Sequence, residues 1–93
     1  MRRVKLSTYI KRFSSNERAA FALKVGTTVG HLNNVAYEQR VASAALTRQI
    51  ALCTERQVAE WELRPNDWFL IWDALIGTEG SPPIPAQQSQ QAA

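Results

Sequence analysis

Residues 24–35 read KVGTTVGHLNNV, and this stretch decides the fold because it combines a helix end, a turn and a helix start. Gly26 tolerates the left-handed backbone that ends a helix, and Thr28 is a typical N-cap residue for the next helix. Leu32 and Val35 then share one face of that helix. The stretch therefore predicts a tight turn followed by a short helix with an aliphatic inner face.

A second helix is predicted before this turn, so the two helices make a helix-turn-helix candidate. Ser14 and Glu17 have the spacing of a capping box, so this helix is expected to begin there and to end at Val25. Ala22 provides the small residue that such a unit needs where its helices cross. Phe21, Ala22 and Val25 form the predicted inner face.

Three other helices complete the prediction. Ser7 is predicted to cap the first helix, whose inner face consists of Leu6, Tyr9, Ile10 and Phe13. Ser43 is predicted to cap the fourth, whose inner stripe consists of Leu46, Ile50 and Cys53. Pro65 suits the first turn of the fifth helix, and Asp67 complements its positive dipole end. The predicted core stripe of this helix consists of Trp68, Ile71, Trp72 and Leu75.

No strand-like alternation competes with these helices, so the sequence predicts an all-α fold. We expect a compact five-helix helix-turn-helix domain over residues 1–76. The remaining segment, GTEGSPPIPAQQSQQAA, holds three prolines and four glutamines. Such a segment buries too little apolar surface to offset its ordering entropy, and residues 77–93 are therefore predicted to be a disordered tail.

Composition narrows the class of protein. The chain has 93 residues, of which 45% are hydrophobic and 20% charged, as in an ordinary soluble domain. Its apolar runs are far shorter than the roughly 18 residues of a membrane span. The N-terminus lacks the apolar segment of a signal peptide, and the single Cys53 favours a reducing compartment. We therefore expect no membrane partner and a cytoplasmic location.

Charge is distributed unevenly along the chain. Residues 1–40 carry eight Lys and Arg against two Glu, a net charge of +6, whereas residues 41–93 carry three Arg against six acidic residues, a net charge of −3. A basic half suggests a polyanionic partner for one side of the molecule. The alternative is a solvated surface with an accidental excess of charge.

Enzyme chemistry has little support in this sequence. The single His31 and the single Cys53 lie on different predicted helices and do not form a recognisable nucleophile–base pair. The chain has neither a metal-ligand spacing nor a phosphate-cradling glycine motif. Glu60 and Glu62, beside a tryptophan, are interpreted as helix surface. We expect no catalytic residue, cofactor, metal or small-molecule ligand.

The outward side of the third helix, residues 28–37, is the candidate functional surface. Asparagine can bond bidentately to an adenine edge, and valine can pack on a thymine methyl group. Glycine costs about 1 kcal/mol relative to alanine within a helix, and close approach to a DNA groove would explain it. The predicted base-reading residues are Val29, Gly30, Asn33 and Asn34.

Residues around this helix are predicted to contact the DNA backbone, because cations and polar groups there can hold phosphates and set the register. This predicted set consists of Arg18, Lys24, Thr27, Thr28, His31, Tyr37 and Arg40. Three alternatives stay open. Asn33 and Asn34 could be solvated surface, His31 could be a half-packed side chain without a role, and Tyr37 could be a partly buried ring.

Two segments resemble known families. KVGTT followed by a short polar helix resembles the helix-turn-helix of the Cro/CI-type phage repressors, which have the lambda-repressor-like fold. Residues 58–75, VAEWELRPNDWFLIWDAL, resemble the V-x-x-W-D-L-R-P-D-D-W-x-x-I-W ending of the YdaS-like Cro-type regulators. That family consists of prophage-encoded DNA binders, some of them antitoxins of YdaST toxin–antitoxin pairs. The resemblance covers residues 5–76.

The resemblance implies base reading by Val29, Gly30 and Asn34 and a phosphate contact by Arg18. It also places Thr27 and Thr28 at the start of the recognition helix. Two segments depart from the family pattern. YEQRVASAAL replaces a loop with glycine and proline after the recognition helix, so this helix is expected to run longer. CTERQVAEW replaces a glycine-rich connection before the last helix.

The sequence as a whole suggests a sequence-specific regulator that binds a double-stranded DNA operator, of the phage or prophage Cro type. A homodimer on a palindromic site is expected, and the apolar Phe69, Leu70 and Ile76 are the candidates for self-association. These side chains could instead pack on residues 58–63. The alternative function is an antitoxin that acts mainly by binding a toxin. A helix-turn-helix that no longer binds DNA is a third reading.

Overall fold

The computed structural model describes residues 3–84, and every regular element among them is helical. The all-α prediction is therefore confirmed, but six short α-helices replace the five that we predicted. They are α1 Leu6–Lys11, α2 Ser15–Val25, α3 Val29–Ala36, α4 Ala44–Cys53, α5 Glu60–Leu63 and α6 Trp68–Ile71, followed by a 3₁₀ turn at Asp73–Leu75. None of these helices is long and apolar enough to cross a membrane.

Side-chain caps fix the starts of α2, α3 and α4 as predicted. The Ser14 hydroxyl accepts a hydrogen bond from the Glu17 backbone N–H at 3.1 Å, and the Glu17 carboxylate accepts one from Ser14 N–H at 2.8 Å. Thr28 and Ser43 cap the next two helices. The prediction for Ser7 is wrong, since α1 begins one residue earlier without a side-chain cap.

Two hydrophobic clusters make up the interior. The first cluster joins α1 to α4, and the predicted inward residues Leu32, Val35 and Ile50 are buried in it; half-buried Cys53 packs against it. The second cluster lies in the C-terminal part and consists of Ala59, Trp61, Trp68 and Phe69, with Trp72, Leu75 and Ile84 packed against them.

The predicted core stripe of the last helix is only partly correct. Trp68 is buried, but Ile71 is 39% exposed, while Phe69 is buried. The α-helical geometry stops at Ile71, and the chain continues as a 3₁₀ turn. Trp72 and Leu75, the other two members of the predicted stripe, pack against the second cluster. Phe69 and Ile71 both lie within α6, whose four residues are all apolar, so spacing alone does not determine which of them faces the interior.

The Glu60 carboxylate is fully buried, whereas the sequence around it predicts a position on the helix surface. Arg48 of α4 donates to one of its oxygens, and Arg56 donates to the other at 2.9 Å. Arg56 also lies over the Trp61 ring, with its guanidinium carbon 5.5 Å from the ring centroid. The arrangement, here called the Glu60 triad, links the first cluster to the second.

Arg64 and Asp67 form a second link, which explains two residues of the LRPNDW segment. Arg64 donates to both Asp67 carboxylate oxygens, at 2.9 and 2.6 Å, and to the backbone carbonyl of Ala42 in the loop before α4. Asp67 is the N-cap residue of α6, although its side chain makes no cap hydrogen bond, and its effect on the helix dipole stays a prediction. The ion pair with Arg64 also ties the α5–α6 corner to that loop.

This ion pair has a consequence for pH. The pKa of Asp67 lies below its usual range because Arg64 hydrogen-bonds its carboxylate. Such a group stabilises the fold above its unfolded pKa of about 3.9, and this contribution disappears as pH falls through the lower native pKa. Asp67→Asn is expected to reduce stability at neutral pH and to lose less on further acidification, as measured by thermal unfolding. The exposed Asp73→Asn should keep the wild-type profile, and identical acid profiles for all three proteins would contradict the prediction.

Residues 77–84 are the described part of the predicted tail. They contain two turns, closed by hydrogen bonds from Thr78 to Leu75 and from Ser81 to Thr78. Ile84 packs against the second cluster. The rest of the predicted tail, residues 85–93, lies outside the described residues.

Candidate nucleic-acid interface

The turn between α2 and α3 is built from backbone hydrogen bonds. Gly26 has φ +87°, a left-handed conformation that strains any residue with a side chain. The Thr27 N–H then bonds to the Ala22 carbonyl at 2.8 Å. This reversal brings α3 against α2, and α3 is fixed by Leu32, which is completely buried, and by Val35.

The opposite side of α3 faces solvent over part of its length. Gly30 is exposed, and a methyl group built there would meet no heavy atom of residues 3–84 within 4 Å. Packing among these residues therefore does not require glycine at this position. Asn33 and Asn34 are half-buried, and Tyr37 is 53% exposed.

Val29 departs from the predicted outward face. It is half-buried and packs against the first cluster. Its position in the first turn of α3 directs it partly toward the interior, so only part of its side chain is accessible for a base contact.

Arg18 is engaged within the chain. Its guanidinium donates to the Ile10 carbonyl at 2.9 Å and to the Asn33 side-chain oxygen at 3.2 Å. The Arg18 Nε is buried and has no hydrogen-bond partner within residues 3–84. Fifteen residues separate Arg18 from Asn33, so no periodicity of the sequence indicates this contact.

Asn34 has a different environment. Its backbone carbonyl accepts hydrogen bonds from the N–H groups of Gln39 and Arg40, at 2.8 and 3.2 Å, and these close the end of α3. Its side-chain amide makes no hydrogen bond within the described part of the chain. Asn34 therefore presents an uncommitted donor and acceptor beside Gly30, which is the arrangement that bidentate reading of adenine requires.

The chain turns sharply after α3, and Glu38 adopts a positive φ of 63°. The expectation that α3 runs longer is wrong, since it ends at Ala36. Arg40 consequently lies in an exposed loop beyond the helix, and Lys24 is exposed in the last turn of α2. Two cations thus lie in the segments on either side of α3 in the sequence.

The other residues predicted to contact the DNA backbone are partly buried or already hydrogen-bonded within the protein. The Thr28 hydroxyl already accepts the His31 N–H at 3.2 Å as the cap of α3. Thr27 and His31 are half-buried. The positive end of α3 and its first N–H groups nevertheless lie at this cap, where anions are favoured.

The predicted self-association residues do not form one surface. Phe69 is 8% exposed and packs edge-on against Trp68, with ring centroids 5.8 Å apart, so it is not available for an interface. Leu70 is 75% exposed, and Ile71 and Ile76 are each 39% exposed. Ile71 is exposed although its helical spacing predicts a core position, so it was not among the residues predicted for self-association.

Neither a protein-family model nor a curated protein matches this chain. A functional interpretation therefore depends on what α2, α3 and their flanking cations present to solvent. Their geometry offers a short helix held by two buried aliphatic residues, with amide groups and an exposed glycine on its outer side.

Proposed function

We propose that this protein is a sequence-specific double-stranded DNA-binding regulator, a phage or prophage repressor of the Cro type, with α3 in the major groove. The observation that carries the proposal is the outer side of α3. It presents Gly30 and the Asn34 amide, which has no hydrogen-bond partner among residues 3–84, and residues 29–37 include no Lys, Arg, Asp or Glu.

Three physical features support this assignment. Gly30 is exposed, packing among residues 3–84 does not require a glycine there, and its lack of a side chain allows the backbone to approach a groove wall closely. Asparagine amides match the donor–acceptor pattern of adenine in the major groove. Lys24 and Arg40, both exposed, can neutralise phosphates beside that groove.

The direct test is selection of bound duplexes from a random DNA pool, followed by titration of the selected duplex and a scrambled one. The proposal expects a recovered motif and a saturable complex that weakens as salt increases. Enrichment of no motif, with no saturable complex even at low ionic strength, would refute it.

Asn34 gives the sharpest single-residue prediction for this function. Asn34→Ala is expected to weaken binding to the selected duplex by about 1–3 kcal/mol and to relax the preference at one base pair. Asn66→Ala, an exposed asparagine in the α5–α6 corner, is the matched control and should bind as the wild type does. An equal loss of affinity for all duplexes would show that Asn34 does not read a base.

A two-fold symmetric operator would require two subunits, each placing α3 in a half-site. Leu70 and Ile76 are exposed apolar residues in the same C-terminal region and are the remaining candidates for this contact. Leu70→Ser is therefore expected to shift the protein toward monomer in sedimentation. Leu52→Ser, which alters a half-exposed leucine of α4, should leave the distribution unchanged. Identical sedimentation of all three proteins would remove Leu70 from the interface.

A second candidate function is binding of a toxin by an antitoxin. The exposed Leu70, Ile71 and Ile76 favour it, since they lie in the half of the chain whose net charge is −3. Truncation after Ile84, which keeps that residue on the second cluster, distinguishes DNA binding from a partner that binds through residues 85–93. DNA binding should survive truncation, whereas a partner that depends on residues 85–93 would be lost.

A further inference from the structure

A cavity of about 390 Å³ lies beside the C-terminal end of α3. Its walls come from that end of the helix, from the loop that follows it and from the α5–α6 corner. The apolar part of the lining consists of Val35, Val41, Leu63 and Pro65. Sites for small molecules are concave, largely apolar and about 300–1,000 Å³ in volume, so this cavity is large enough to hold one.

Hydrogen bonds fix two of its walls. Arg64 donates to the Ala42 carbonyl and to both oxygens of Asp67, which joins the α5–α6 corner to the loop before α4. The Glu38 N–H bonds to the Val35 carbonyl at 3.2 Å, which fastens the start of the loop to α3. The cavity is therefore formed before any ligand enters, and a ligand would not have to order these walls.

The charges that line the cavity are unequal in their commitments. Arg64 and Asp67 pair with each other. The carboxylates of Glu38 and Glu62 also line the cavity, and neither has a cationic partner within 4 Å among residues 3–84. Arg40, in the exposed loop, is the remaining lining cation. The lining thus has a net charge of −1 and two carboxylates without a counter-ion in the described part of the chain.

The same two carboxylates lie where this cavity meets a second one. The neighbouring cavity, of about 190 Å³, shares Val35, Glu38, Glu62 and Leu63 with the first. Lys5 lines it as well, but its ammonium group is more than 4 Å from either carboxylate. Glu38 also has a positive φ of 63°, which is costly for a residue with a side chain. Negative charge and apolar surface therefore come together at one place.

We infer that the larger cavity binds a small organic cation, a primary amine with an apolar body. Its ammonium group donates to the carboxylates of Glu38 and Glu62, and its body packs on Val35 and Leu63. Hydrogen bonds between charged groups are stronger than neutral ones, whereas an exposed ion pair alone contributes little, so the ligand needs both parts. An organic anion would face two carboxylates, with Arg40 as the nearest uncommitted cation of the lining. This inference does not depend on DNA binding.

The first arm of the test uses benzylamine as the probe and benzyl alcohol as its uncharged counterpart. Methyl NMR follows Val35, Val41 and Leu63, which line the cavity. Benzylamine should shift these signals in a saturable manner with a Kd on the order of 1 mM, as expected for so small a ligand. Benzyl alcohol should bind at least about fivefold more weakly, and added salt should weaken the amine alone.

The second arm changes the two carboxylates together. The double variant Glu38→Gln, Glu62→Gln keeps the size of both side chains, and its preference for benzylamine over benzyl alcohol should disappear. Glu55→Gln is the matched control, because Glu55 is also exposed and also has a positive φ, of 54°, but lines neither cavity. This control should keep the full preference. Thermal unfolding verifies that each variant is folded under the binding conditions.

Several results would overturn the inference. Equal binding of amine and alcohol to the wild type would refute a cation site. Amine-induced shifts that do not saturate, or that miss the Val35 and Leu63 methyl groups, would refute the cavity as the site. An unchanged preference in the double variant would remove Glu38 and Glu62. If that variant does not fold, the wild-type comparison decides alone. None of these measurements contains DNA, so the proposed function stands or falls separately, by duplex selection.

Discussion

Replacing both Arg48 and Arg56 by methionine is expected to lower the free energy of unfolding by about 3–5 kcal/mol. These arginines are the two partners of the Glu60 carboxylate, which has no exposure to solvent. Both arginines are partly exposed to solvent, so the charge that is costly to leave unpaired is the buried carboxylate of Glu60. Methionine keeps an aliphatic side chain of similar length, but it removes the Arg56 guanidinium that lies over Trp61 and leaves the buried charge without a counter-ion.

The triple replacement that adds Glu60→Leu is the decisive comparison. A buried ion pair replaced completely by apolar residues of similar volume is often neutral in stability, so the triple variant should recover most of the loss. Urea unfolding measures all of these proteins. Glu62→Gln, an exposed neighbour of Glu60, should stay within about 0.5 kcal/mol of the wild type. A double variant as stable as the wild type would mean that Glu60 needs no partner.

Leu32→Ala is expected to destabilise the fold by about 2–5 kcal/mol, because it removes a completely buried side chain and leaves a cavity. A small domain has only about 5–15 kcal/mol of stability, so this is a large fraction. Leu32 also holds α3 against the first cluster. We therefore expect specific DNA binding to weaken as well, although Leu32 contacts no DNA in the proposed complex.

Urea unfolding and duplex titration at a temperature where both proteins are folded measure the two effects separately. Leu23→Ala, which truncates a leucine of α2 that is 81% exposed, is the matched control and should change stability by less than about 0.5 kcal/mol. A loss below about 1 kcal/mol for Leu32→Ala would show that α3 is held mainly by other contacts.

Local sequence signals predicted the ends of α2, α3 and α4 well. The cap residues Ser14, Thr28 and Ser43 and the helix-ending Gly26 act on a few neighbouring residues, and each was predicted from its residue type and local position. Leu32 and Val35 lie on the inner side of α3 because helical periodicity holds within a continuous helix. Ser7 failed as a cap because α1 begins before it.

The sequence was a poorer guide to the last helical segment. Ile71 is exposed and Phe69 is buried, the reverse of the expected arrangement, because all four residues of α6 are apolar and their spacing alone does not determine which of them faces the core. The sequence analysis gave Asp67 only a place at the positive end of its helix, and the structure adds a two-oxygen hydrogen-bonded pair with Arg64.

The sequence by itself determined the all-α class, the starts of α2, α3 and α4, and the aliphatic side of α3, because all of these depend on residues within about one or two helical turns. Only the tertiary structure decided that Glu60 is buried between two arginines and that Arg18 holds the Asn33 oxygen. These contacts join residues 4 to 15 positions apart in different elements or corners. These contacts form because packing brings the elements together and because buried charges need partners, and neither condition can be inferred from a local sequence pattern.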